Sequence, residues 1–88
     1  MEVINYNLLY RVGNNKLYKT YYHGSFRDLG HIFDGLRERA ANKSFIMRRR
    51  SQGNMGVRIT YTKGEESVQF LICTDEQLNF WWSDKVAK

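Results

Sequence analysis

The chain has 88 residues, with 14 Lys and Arg against 9 Asp and Glu for a net charge of +5, no proline and a single cysteine. That length suits one domain with a modest core. One cysteine excludes an internal disulfide, and no apolar run approaches the ~20 residues of a membrane-spanning helix.

Aromatics make up 15% of the residues, which together with mixed charge argues against disorder. The opening Met1-Glu2-Val3-Ile4-Asn5-Tyr6 lacks the basic start and long apolar region of a secretory leader. Cys73 lies in the apolar run Phe70-Leu71-Ile72-Cys73 and reads as a buried thiol, which suits a reducing compartment. These features give the expectation of a cytoplasmic protein with no membrane partner and no cofactor.

Residues 3–12 alternate, with Ile4, Tyr6, Leu8, Tyr10 and Val12 on one face and Asn5, Asn7 and Arg11 on the other, so a half-buried strand is expected. Gly13-Asn14-Asn15 supplies residues for a hairpin turn, and residues 16–22 form the return strand. As a free edge, that strand would offer a second copy a homodimer contact. Ser25 with Asp28 resembles a capping box and predicts a helix over 25–41. Phe26, Leu29, Ile32, Phe33, Leu36 and Ala40 give it one apolar stripe. Gly30 and Gly35 each weaken the helix by about 1 kcal/mol relative to Ala, so the stripe should pack across a sheet. Asn42 is the expected C-terminal cap.

A third strand begins at Ser44. Strict alternation puts Phe45, Met47 and Arg49 on one face and Ile46, Arg48 and Arg50 on the other. Residues 51–56, containing Gly53, Asn54 and Gly56, read as a loop. Val57, Ile59 and Tyr61 then form an apolar row opposite Arg58, Thr60 and Thr62. After a turn at 63–66 comes a fifth strand, apolar on both faces and therefore central or doubly covered. Thr74 with Gln77 is a second capping-box pattern, opening a short helix with Leu78, Trp81, Trp82 and Val86 at helical spacing. Leu78, Phe80 and Trp82 also alternate, which leaves a sixth strand as the competing reading. The expected fold is one compact α+β domain of order ββαβββα, a five-stranded mainly antiparallel sheet with one long helix and a short C-terminal helix.

The chemistry-bearing features are few. Arg48-Arg49-Arg50 sits near Lys43 and Arg58. Arginine's planar fork suits phosphate or carboxylate, although a positively charged strand also serves to block edge-to-edge pairing. The expected anion-contacting set is Lys43, Arg48, Arg50, Gln52, Arg58 and Lys19, with Arg48 and Arg50 acting together and Arg49 apart. Tyrosines interleaved with Lys19 and Arg11 would stack bases on an exposed sheet face, or else fill the core rim. Trp81, Trp82 and Tyr22 are candidate protein-interface anchors, and of the two adjacent tryptophans one should face the core and one the surface.

His23 and His31 lack zinc-ligand spacing, and His23 beside Ser25 and Asp28 is only a sequence-local set, which rarely makes a triad. Glu65-Glu66 falls on a turn. The expected function is therefore a non-catalytic module that binds an anionic partner, nucleic acid or an acidic protein surface. The second reading is a small protein-binding inhibitor or adaptor, of the kind a phage or mobile element would direct at a host nucleic-acid or defence enzyme.

Overall fold

The computed structural model describes residues 4–26 and 29–87. Five strands, β1 (Ile4–Val12), β2 (Lys19–Phe26), β3 (Ile46–Gly53), β4 (Gly56–Lys63) and β5 (Glu66–Thr74), form one sheet in the order β2-β1-β5-β4-β3. Every neighbouring pair is antiparallel. Helix α1 (Leu29–Asn42) crosses one face of the sheet. The other face carries a C-terminal helical segment: α2 (Asp75–Gln77), a π-helical turn (Leu78–Trp82) and a 3-10 turn (Ser83–Lys85). The order ββαβββα and the α+β class are as the sequence predicts.

Two apolar clusters result, one on each side of the sheet. On the helix face, Leu8, Val57, Ile59, Tyr61 and Ile72 meet Ile32, Leu36 and Ala40 of α1. On the reverse face, Leu9, Leu71 and Cys73 meet Tyr18 and Trp82. The central strands β1 and β5 are thus covered twice. The C-terminal segment packs opposite α1, rather than beside it or on the sheet's edge, because Leu9, Leu71 and Cys73 project there and need cover. Its start is the capping box the sequence shows: Thr74 Oγ1 accepts from the Gln77 amide at 3.2 Å, and Gln77 Oε1 accepts from the Thr74 amide at 2.9 Å.

Several boundaries differ from expectation. Ser25 does not cap α1; it lies in β2, paired with Asn5, where its hydroxyl donates to Asn5 Oδ1 at 2.7 Å. Asp28 lies outside the described residues. The return strand begins at Lys19 rather than Lys16, because Tyr18 is captured by the C-terminus. The Tyr18 amide donates to the Lys85 carbonyl at 2.8 Å, and the Ala87 amide donates to the Tyr18 carbonyl at 2.7 Å. Strands β3 and β4 extend into the expected loop at 51–56 and leave only Asn54-Met55 as the turn.

Asn42 is the last residue of α1, not its cap. The Phe45 amide donates to the Ala40 carbonyl at 2.8 Å and the Ser44 amide to the Ala41 carbonyl at 3.1 Å, with Ser44 at φ 64°. This is a Schellman closure, with serine at the left-handed position glycine usually fills. It turns Phe45 back against the helix-face core.

Two bulges set which way side chains face. In β2 the register jumps between Leu8↔Tyr22 and Leu9↔Thr20, leaving Tyr21 as the extra residue. In β3 it jumps between Met47↔Tyr61 and Arg49↔Thr60, leaving Arg48 as the extra residue. An extra residue offsets the period-two alternation beyond it.

Candidate functional site

The bulge at Arg48 decides the arginine run. Beyond it, Arg49 pairs with Thr60 and Ser51 with Arg58, so these four project on the reverse face. Arg50 pairs with Ile59 and projects on the helix face, where its guanidinium lies 4.2 Å from the Phe33 ring centre. The expected facing is therefore reversed: Arg49 shares the face of Ile46, and Arg50 that of Met47.

Register extends the reverse face across the sheet. Thr60 pairs with Gln69, and Gln69 with Arg11. Arg49, Thr60, Gln69 and Arg11 thus form one cross-strand row over four strands. Three strand spacings separate its terminal backbones, about 14 Å. Arg58 stands in the next row, between Ser51 and Leu71. Arg49, Ser51, Arg58, Thr60 and Gln69 line a shallow polar depression of about 120 Å³.

The C-terminal segment leaves this part of the face open and braces it from one side. The Tyr18 ring lies under the Arg11 guanidinium at 4.8 Å, and its hydroxyl donates to Gln69 Oε1. Burial pushes the Tyr18 phenol above its ordinary range, against the opposing pull of Arg11 and Arg58, so it stays a protonated donor at neutral pH. Gln69 Oε1 accepts that bond with one of its two lone pairs, and the amide keeps its N–H donors. Trp82 is buried at 4% exposure, donates Nε1–H to the Met55 carbonyl at 2.8 Å, and has Arg58 and Lys85 at 5.9 and 5.6 Å from its ring. Among the described residues, Arg11, Arg49, Arg58 and Lys85 form no ion pair. The arrangement is a set of guanidinium, amide and hydroxyl groups with no carboxylate partner, held on aromatic rings. It can accept a chain of anionic groups.

The six residues expected to act together are dispersed. Arg58 is on the reverse face. Arg50 and Gln52 lie on the helix face, as does Lys19, which pairs with Tyr10. Arg48 is the bulge residue, and Lys43 sits in the turn after α1. Arg49, Arg11, Gln69 and Thr60 were not in that set. Arg11's place opposite the apolar row of the first strand was a readable sign, whereas nothing in the alternation marks the bulge that recruits Arg49.

The interface candidates also divide. Trp82 belongs to the core and is withdrawn from any partner, while Trp81 is 42% exposed beside Phe80, 76% exposed, with ring centres 4.8 Å apart. Tyr22 is half exposed on the helix face, opposite Leu8. His23 Nε2 lies 3.1 Å from Asp75 Oδ1, which also accepts from Asn7 Nδ2 at 2.7 Å. Cys73, on the reverse face, is fully buried, and burial together with nearby Asp75 pushes its thiol to about 12, so it carries no thiolate at neutral pH. Among the described residues no group of three or more His, Cys, Asp and Glu is placed to hold a metal ion.

In comparisons with known proteins, the chain matches no protein-family model, no curated protein and no solved structure.

Proposed function

We propose that this protein is a non-catalytic binder of single-stranded nucleic acid, and that the strand crosses the reverse face of the sheet. The observation that carries the reading is the row Arg49-Thr60-Gln69-Arg11 with Arg58 beside it, uncovered and without a carboxylate partner. Arginine forks and hydroxyl donors fix backbone phosphates without reading sequence. The C-terminal segment on the same side exposes the Phe80–Trp81 pair, and exposed aromatics are a usual platform for unpaired bases. A single buried thiol suits a reducing, cytoplasmic setting.

Fluorescence anisotropy with labelled single- and double-stranded oligonucleotides tests this. Single strands should bind more tightly, with log K falling by about 0.7 per phosphate contact for each unit of log salt. Arg49→Ala with Arg58→Ala should weaken binding and flatten that slope by about 1.4, two contacts' worth. No binding at low salt, or an unchanged slope in the double variant, overturns the proposal.

The second reading, a protein-binding inhibitor or adaptor, draws on the exposure of Phe80 and Trp81, since a clustered aromatic pair is a common interface anchor. A partner retained on the immobilised protein after nuclease treatment, and lost with Trp81→Ala, would favour it over the first.

A further inference from the structure

Helix α1 closes at Ser44, and a space remains between its C-terminal end and the strands beneath. This cavity of about 230 Å³ has aromatic walls, Tyr21, Phe45, Tyr61 and Phe70, and carries Arg39 and Lys43 in its lining. The Tyr21 and Tyr61 rings meet Phe70 edge-on, with interplanar angles of 88° and 78°. Arg39 is held by the Tyr21 ring, 5.3 Å from its centre. No carboxylate lines the cavity, and among the described residues neither Arg39 nor Lys43 forms an ion pair.

Basic residues at a helix C-terminus commonly just offset the helix dipole. That end carries only about half a negative charge, however, against two full cations. The walls are those of a ring-binding slot, since aromatic faces and edges favour another aromatic ring in stacked or edge-on contact. The volume falls below the ~300–1,000 Å³ of sites for drug-sized ligands, so the cavity would enclose one ring system and leave the rest of a ligand at its rim, where Arg39 and Lys43 are exposed. A phosphate monoester carries about −1.5 to −2 at neutral pH and so matches a pair of cations better than a carboxylate does.

We propose that this pocket binds a nucleoside monophosphate, with the base among Tyr21, Phe45, Tyr61 and Phe70 and the phosphate on Arg39 and Lys43. The site is separate from the reverse-face row and does not depend on it.

Titration of the ¹⁵N-labelled full chain with adenosine 5′-monophosphate, followed by amide NMR, tests it. Saturable shifts are expected at Phe45, Tyr61, Val68 and Phe70. Adenosine alone and ribose 5-phosphate alone should each bind at least about tenfold more weakly. Lys43→Ala, a change in an exposed turn that leaves the Arg39–Tyr21 stack in place, should weaken the nucleotide about tenfold. Arg49→Ala with Arg58→Ala should leave it unchanged, which separates this pocket from the nucleic-acid face. The proposal is overturned by the absence of saturable shifts at those amides, by ribose 5-phosphate binding as well as the nucleotide, by parent-like affinity in Lys43→Ala, or by equal loss in the reverse-face variant.

Discussion

Gly56 follows the Asn54-Met55 turn at φ 116°, and a Cβ added there would stand 2.6 Å from the Ile72 carbonyl oxygen. Both the conformation and the neighbouring backbone forbid a side chain, and strain of this kind is worth about 1–3 kcal/mol before any clash is relieved. Gly56→Ala should therefore lower the melting temperature by roughly 10 °C or more, measurable by calorimetry. Cys73, Tyr18 and Tyr61 make a second case at this scale, because burial raises all three above their ordinary ranges, Cys73 from 9.0 to about 12. Above pH 9 the unfolded chain surrenders these protons first, so it binds fewer than the native state and stability falls as pH rises. The contribution is whole below pH 9 and declines toward pH 12. Urea midpoints taken from pH 7 upward should hold level from this source until about pH 9 and then drop. Folded protein at pH 8 should resist iodoacetamide at Cys73; rapid labelling there would contradict the assigned burial.

At the scale of elements, α1 stops because Ser44 adopts a left-handed conformation that glycine reaches without penalty. Replacing Ser44 by Gly should raise stability by about 1 kcal/mol, seen as a higher denaturation midpoint with unchanged m-value. A fall in stability would mean the serine side chain has a compensating role. Elements with one strong period were legible in the sequence. The stripe Ile32, Leu36 and Ala40 gave α1, the row Val57, Ile59 and Tyr61 gave β4, and Thr74 with Gln77 gave the C-terminal start. Local signals that competed with pairing were not. Ser25 and Asp28 imitate a helix cap, but β1 claims Ser25 for a strand. Bulges add a residue without any mark in the hydrophobic pattern, so the facing of Arg49 and Arg50 was misjudged. The bulge at Tyr21 breaks the alternation of β2 in the same way.

At the scale of the whole molecule, the order of predicted elements correctly signalled the α+β arrangement, and among the described residues no helix is long and apolar enough to cross a membrane. Charge balance says less. The net +5 is spread over both faces, and only register shows which cations stand together. The strand order carries a further consequence. The hairpin β1–β2 and the meander β3–β4–β5 are each built from neighbours in sequence, yet they join only where β1 meets β5, the chain's first strand against its last. Closing so long a loop must precede any reward from that pairing, so this join should govern the rate at which the protein folds. Ile72→Val, at the join opposite Leu8, should slow refolding in stopped-flow chevrons. Trp82→Phe should instead hasten unfolding, because its cluster draws on Leu9 from one half and Leu71 from the other and forms only once they have met. Until then, the unpaired edges of β1 and β5 are the surfaces through which two nascent chains would mispair, so crowded expression is the condition in which this protein should aggregate.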